Sequence, residues 1–283
     1  MSFATRGVLE VIDADGVRLL RFDRPEALNA FSQALWEAVT EALADAAEDD
    51  TIHCVVLTGN GRAFTAGMDL TEMADTEALA KLDTPGYQLL MPVLEAFPKP
   101  LLAAVNGVGV GIGMTMLPHC DIALIATSAR LKAPFVSLGV TTEAAASVTL
   151  PAVAGWQRAH LLFTEPWVDA ERAVELGLAL EVVPDDEVLE RTMAIARTIA
   201  TMPLASLVAT KEMLVAGRID ALRAARLRED GCSSASWARP PTPPRSPTSP
   251  ARADARAPTA PVRRLRGRGA LRVRIVCCRV GCR

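Results

Sequence analysis

The sequence predicts an α/β body, a C-terminal helical part and a disordered tail, and three observations predict it. Short continuous apolar runs alternate with helical patterns over residues 1–184. Helical periodicity dominates residues 185–230. Periodicity then vanishes in a Pro- and Arg-rich segment, 231–283, whose composition reads as disordered. Half of the 283 residues are apolar but only 4% are aromatic, so Ala, Val and Leu must build the core.

Val8–Ile12 and Val17–Phe22 alternate around Asp15-Gly16, a hairpin signal in which the Asp-Gly pair supplies positive φ. Arg24 to Ala30 reads as a loop. Ser32 is the expected N-cap of a helix running to about Glu48, with Leu35, Val39 and Leu43 on one face. Cys54–Leu57 is a buried strand ended by Thr58-Gly59-Asn60-Gly61. Leu101–Val105 and Ile122–Ile125 are two more, and Val182-Val183 ends the strand-bearing part. Pro203 interrupts the helical region from Asp185 to Arg228.

Charge divides the chain. Residues 231–283 carry 12 Arg and a single Asp, or +11, whereas residues 1–230 carry −14. An acidic body repels phosphates and does not suit nucleic acid. The tail reads either as a basic arm for anionic surfaces or as an out-of-frame translation of a GC-rich gene. The second reading is preferred: Gly231 to Ala238, shifted, can read Leu-Leu-Phe-Arg-Glu-Leu-Gly, an amphipathic helix piece. Resequencing around codon 231 decides between them, an intact frame refuting the shift. No apolar run reaches ~18 residues, so no membrane span is expected, and no signal peptide is visible. Only Cys54 and Cys120 lie in the body, which fits a reducing cytoplasm. His53, His119 and His160 are isolated from one another and give no metal-ligand spacing.

Two segments could carry chemistry. In Phe64-Thr-Ala-Gly-Met-Asp-Leu-Thr-Glu72, Asp69 and Glu72 form a capping-box arrangement at a helix start. The small residues before it would let a ligand approach backbone N–H groups; the alternative is an ordinary strand-turn-helix junction. Asn106-Gly-Val-Gly-Val-Gly-Ile-Gly-Met-Thr115 follows a buried strand without the spacing of a dinucleotide fingerprint, but can present a backbone donor to an oxyanion. His119, Cys120 and Asp121 are adjacent and cannot converge as a nucleophile set. Trp36, Trp156 and Trp167 are expected to pack.

Taken together, Arg24-Pro-Glu-Ala-Leu-Asn-Ala, Ala66-Gly-Met-Asp-Leu, Lys99-Pro-Leu-Leu-Ala-Ala-Val-Asn-Gly and Cys120-Asp-Ile-Ala resemble the enoyl-CoA hydratase/isomerase (crotonase) superfamily over about Gly7 to Arg228. The resemblance implies a crotonase-like spiral of ββα units, an acyl-CoA substrate and an oxyanion hole made by the backbone N–H groups of Met68 and Ile112. It implies that residues 185–230 are a truncated trimerisation region of a homotrimer or hexamer. CoA is part of the substrate, so no separate cofactor and no metal is expected. Arg24, Ala27, Ala66, Gly67, Asp69, Leu70, Gly111 and Lys211 are the implied substrate-binding positions, with Lys211 matching a lysine that meets the CoA phosphates. Asp69 reads better as a helix cap than as a base, and Lys211 equally well as a solvated lysine. Ile112 stands where the family more usually has glycine, which would narrow the pocket.

Hydratases of this family split water with two glutamates. Thr115 and Phe135 stand at the matching positions here, so standard hydration is not expected. Pro134-Phe-Val-Ser-Leu-Gly-Val-Thr-Thr-Glu143-Ala-Ala-Ala resembles the peroxisomal-type Δ3,Δ2-enoyl-CoA isomerases, which implies that Glu143 is the proton shuttle. On pattern alone, Glu143 reads instead as a first-turn helix acid capped by Thr141 or Thr142. The expected activity is enoyl-CoA isomerisation in the oxidation of unsaturated fatty acids. A hydratase-like or other CoA-thioester activity and a non-catalytic acyl-CoA-binding protein are the alternatives.

Overall fold

The computed structural model describes residues 2–5, 7–74, 84–164 and 167–237. These belong to one compact unit, Met1–Thr242; a second, Pro243–Arg283, lies outside the described residues. The expected tail therefore lies outside them from residue 238 onward.

A hairpin opens the chain. Strands β2 (Leu9–Ala14) and β3 (Val17–Phe22) pair antiparallel, and Asp15 and Gly16 turn between them at φ 53° and 76°. A further strand, β1 (Ser2–Thr5), pairs with β2 and was not expected. Ser32 caps α1 (Gln33–Glu48), its Oγ accepting the Leu35 N–H, and Leu35, Val39 and Leu43 are buried.

Three successive strand pairs then repeat one pattern: β4 (Cys54–Gly59) with β5 (Ala63–Thr65), β6 (Leu101–Val105) with β7 (Val108–Val110), and β8 (Ile122–Ala126) with β9 (Arg130–Lys132). The first member of each pair joins a large sheet, closed by β11 (Glu181–Val183) and ordered β1-β2-β3-β4-β6-β8-β11, parallel from β3 onward. The second joins a small sheet, edged by β10 (Val168–Asp169) and ordered β10-β9-β7-β5, in which β5, β7 and β9 run parallel. The helices that follow are α2 (Leu70–Ala74) and α3 (Gly86–Ala96), α4 (Ile112–Thr115), and α5 (Ala146–Ala154) with α6 (Trp156–Leu162). This is the spiral of ββα units. The buried strands of the large sheet read as unbroken apolar runs because both faces are covered.

After β10 (Val168–Asp169), α7 (Ala170–Glu175) and β11 (Glu181–Val183), helix α8 (Val188–Ala200) packs against β4, β6 and β8. Helices α9 (Leu204–Ala216) and α10 (Ile219–Trp237) complete the described chain. Helix α10 runs on through Trp237, so the helical part passes the expected boundary at 230. Among the described residues no single helix is long and apolar enough to cross a membrane. Trp36 is buried, but Trp156 is 78% exposed and Trp167 lies half open beneath Lys132; neither packs as expected.

The loop from Arg24 to Ala30 contains a 3-10 turn (Pro25–Ala27) and two left-handed residues, Leu28 and Asn29. Asn29 is fully buried. Its Nδ2 donates to the carbonyls of Asn60 and Ala63, and its Oδ1 accepts the Arg24 N–H. One side chain therefore holds this loop to the start of β5. Asn29→Ala strands buried polar groups and places alanine in the left-handed region. It should destabilise the protein by about 3 kcal/mol, read as a lower urea midpoint at unchanged slope.

Candidate active site

The ends of β5, β7 and β9 face one region, and each contributes to it. After β5 the chain turns at Gly67, whose φ is +92°. After β7 it turns at Gly111, φ +57° and ψ −117°. The two turns touch through their backbones. A Cβ on Gly67 would lie 2.8 Å from the Val110 carbonyl oxygen and 3.8 Å from Gly111 Cα. Both positions need glycine, for conformation and, at Gly67, for space. Met68 and Ile112 each follow one of these glycines. Among the described residues neither of their N–H groups has a hydrogen-bond acceptor, although Gly67 O and Asp69 N on either side of Met68 both bind Phe31. Two adjacent turns thus offer two unpaired backbone donors, which suits a carbonyl oxygen gaining negative charge.

Glu143 comes from the segment after β9 and reaches the same place. Its Oε1 lies 3.7 Å from where a Gly111 Cβ would stand. The residue is half-buried. Among the described residues it makes neither hydrogen bond nor ion pair. Desolvation pushes its pKa up to about 7, assisted by the charges of Glu229 and Asp230. Glu143 precedes α5 rather than sitting in its first turn. Among the described residues Thr142 Oγ1 is buried without a partner, so Thr142 does not cap the helix.

A cleft lined by Phe31, Trp36, Met68, Asp69 and Tyr87 adjoins these groups. The Phe31 and Trp36 rings meet at a tilt with centroids 4.3 Å apart, and Trp36 meets Tyr87 edge-on at 5.9 Å. Thr115 is buried, with its hydroxyl on the Gly111 carbonyl, and Phe135 packs beside Phe163. Neither hydratase position carries an acid.

Other expected site residues fare differently. Arg24 forms an ion pair with Asp69 at 3.0 Å beside the cleft. Burial raises the Asp69 pKa, but Arg24 and the Thr71 N–H outweigh it and hold the carboxyl below its ordinary range. Asp69 caps α2 through Thr71; Glu72 instead accepts the Gln33 N–H, so the expected capping box is not closed. Ala27 lies in the 3-10 turn beside Arg24, Ala66 donates its N–H to the Leu28 carbonyl, and Leu70 opens α2 with 60% of its surface exposed. Ile112 turns its side chain into the hydrophobic core rather than narrowing a pocket. Lys211 corrects both of its readings: it is buried, and its Nζ donates to the Lys99 carbonyl and to Asp121 at 2.7 Å. It locks two segments together and is neither solvated nor free for a phosphate.

Sequence reasoning missed the support beneath Glu143. Ala144 and Ala145 both adopt left-handed backbone, at φ 59° and 55°. The Tyr87 hydroxyl accepts the Ala144 N–H at 2.6 Å, and His119 Nε2 lies 2.8 Å from the Ala144 carbonyl. Burial pulls His119 down to about 4, so the ring is neutral near pH 7 and this contact assigns its proton to Nε2. Burial, together with the charge of Glu143, holds the Tyr87 phenol above its ordinary value.

Residues 13–235 match the family model described as enoyl-CoA hydratase/isomerase. The chain is 36% identical over 194 residues to 1,2-epoxyphenylacetyl-CoA isomerase of Escherichia coli, covering 66% of this chain and 74% of that protein. It is 35% identical to 2,3-dehydroadipyl-CoA hydratase of the same organism, covering 75% and 84%. It is 31% identical to human enoyl-CoA delta isomerase 2, covering 81% and 59%. Among solved structures it resembles an enoyl-CoA hydratase/isomerase from Pseudoalteromonas atlantica at TM-score 0.79 and 32% identity, covering 82% of this chain and 92% of that one.

The raised pKa of Glu143 has a consequence for stability. Between its ordinary value of 4.5 and about 7, the folded state holds a proton that the unfolded state has lost. This contribution to stability is present below the unfolded value and disappears as pH rises through about 7. Glu143→Gln should therefore stabilise the protein above pH 7 by roughly 1–3 kcal/mol and hardly at all below the unfolded value, measured by denaturant unfolding across pH.

Proposed function

The chain belongs to the enoyl-CoA hydratase/isomerase family, and from that premise we propose that it shifts a double bond along an acyl-CoA as a Δ3,Δ2-enoyl-CoA isomerase. It is an enzyme of the crotonase superfamily acting on CoA thioesters. The observation that carries the finer reading is Glu143, the acid that meets the glycine turns with no hydrogen-bond partner for its carboxyl group among the described residues. Glu143 stands beside the two unpaired N–H groups, while Thr115 and Phe135 occupy the positions where hydratases have glutamates.

In this reading the thioester oxygen accepts from Met68 N–H and Ile112 N–H. Glu143 removes a proton from C2 of a 3-enoyl-CoA. Negative charge moves onto the oxygen, where the two donors stabilise it without reorganising. The same carboxyl then returns the proton at C4, leaving the double bond between C2 and C3. A single acid suffices, because the proton leaves and returns within one substrate; adding water needs a second group to orient it. A base with a pKa near 7 is matched to that exchange at neutral pH. The shift requires neither redox cofactor nor metal. The phosphates of CoA need a cation other than Lys211.

The wider setting follows the family resemblance: a cytoplasmic homotrimer or hexamer serving the oxidation of unsaturated fatty acids. Exposed Met213, Leu214 and Leu227 on the C-terminal helices support an assembly surface there.

Wild-type protein should isomerise 3-hexenoyl-CoA, and Glu143→Gln should lower kcat by about 10²–10⁴ while still binding substrate. The acid limb of kcat/KM should lie near pH 7, with activity rising as Glu143 loses its proton. Fast hydration of crotonyl-CoA that survives Glu143→Gln would overturn the assignment.

A further inference from the structure

Glu229 lies on α10, at the far end of the described chain from the turns of the site, and is only 5% exposed. It makes no ion pair among the described residues. Its carboxylate instead accepts two backbone N–H groups, from Ala145 at 2.7 Å and from Ser147 at 2.9 Å. These groups begin α5, whose N-cap residue is Ala145 and which has no side-chain cap of its own. Glu229 thus supplies from 84 residues away the acceptor that an Asp or Ser usually supplies locally.

The position of that clamp gives it a role beyond capping. Ala144 and Ala145 are consecutive left-handed residues, a conformation unfavourable for alanine unless the surroundings hold it. This strained pair directly follows Glu143. Relaxing it would swing the Glu143 side chain relative to Gly111. We propose that Glu229 is a positioning residue for Glu143: by holding the N–H groups of Ala145 and Ser147 it fixes the turn from which the base projects, and it makes the base geometry depend on the seating of the last helix. The proposal rests on the reading of Glu143 as the base.

The charged and titratable groups facing Glu143 are Tyr87 from α3, His119 beneath Ala144, and Glu229 and Asp230 from α10. Asp230 lies 3.7 Å from Arg226, which also meets the buried Glu95. Glu229 and Asp230 are both like-charged with Glu143. A Glu229→Gln change removes one of these charges and one clean acceptor. A purely structural clamp would alter the folded fraction without moving the pH profile of the molecules that remain folded.

The test compares Glu229→Gln, Glu229→Asp and Glu143→Gln with the wild type in full-length protein, using 3-hexenoyl-CoA as substrate and thermal unfolding to report the folded fraction. Glu229→Gln should lower kcat per folded enzyme about tenfold or more with KM within about twofold, because a small misplacement of a reacting group is expensive. Its acid limb should move to lower pH. Glu229→Asp keeps the charge but is one methylene shorter; it should leave the limb in place and recover part of kcat. Wild-type kcat per folded enzyme in Glu229→Gln overturns the proposal. So does a loss of activity that tracks unfolding with the Gln limb unmoved, or failure of both variants to fold, since each makes Glu229 a folding residue only. Glu143→Gln separates the two claims: if it remains active, the base assignment itself has failed and the positioning role falls with it.

Discussion

The site depends on the contact between two glycine turns. Gly67 and Gly111 meet backbone to backbone, and a methyl group on Gly67 would collide with the Val110 carbonyl. The contact follows from strand pairing. β5 lies beside β7 in parallel register, so the turns that leave their C-terminal ends emerge side by side. β9 continues the same sheet, and the chain beyond it brings in Glu143. Three successive ββα units therefore deliver three site elements to one edge. Ligands favour the carboxyl ends of parallel strands for this reason: loops there converge without distorting the sheet. The large sheet and α8 provide the rigid body, while the small sheet carries the chemistry.

Different parts of this arrangement were legible in the sequence to different degrees. The strands of the large sheet stood out because each is buried on both faces and so reads as an unbroken apolar run, as in Leu101–Val105. The Asp15-Gly16 turn and the Ser32 cap were legible because turn and cap chemistry is local. The small-sheet strands were not singled out, being two or three residues long. Met68, Ile112 and Glu143 came from resemblance rather than periodicity. Nothing local in Gly-Val-Gly-Ile says that its turn will lie against Gly67.

The misreadings share a cause. Spacing pairs Glu72 with Asp69, but in space the Gln33 N–H is its donor, 39 residues away. The sequence offers Lys211 equally as a lysine for the CoA phosphates and as a solvated one, yet the fold brings Asp121 and the Lys99 carbonyl to it, and burial lowers its pKa. Residue type alone predicts that Trp156 and Trp167 pack, yet both are exposed. The sequence neighbours of His119 give no hint of its partner, the Ala144 carbonyl. Long-range polar pairs leave no periodic trace, because one residue at each end is enough to make them.

These long-range pairs also resolve a conflict inherent in a carboxylate base. A carboxylate can be held still by giving it hydrogen-bond donors, but those donors stabilise the charged form and lower its basicity. Glu143 is held differently. Tyr87, His119 and Glu229 bind the backbone of Ala144, Ala145 and Ser147, and leave the carboxyl group itself unpaired among the described residues. Position is set through the main chain, so burial and the neighbouring acids remain free to raise the pKa. The left-handed pair is the cost of this solution, since it brings the N–H and carbonyl groups into reach of three separate elements. The oxyanion side follows the same logic. Met68 and Ile112 contribute main-chain donors whose directions are fixed by glycine turns, so both halves of the chemistry are anchored in backbone geometry rather than in flexible side chains.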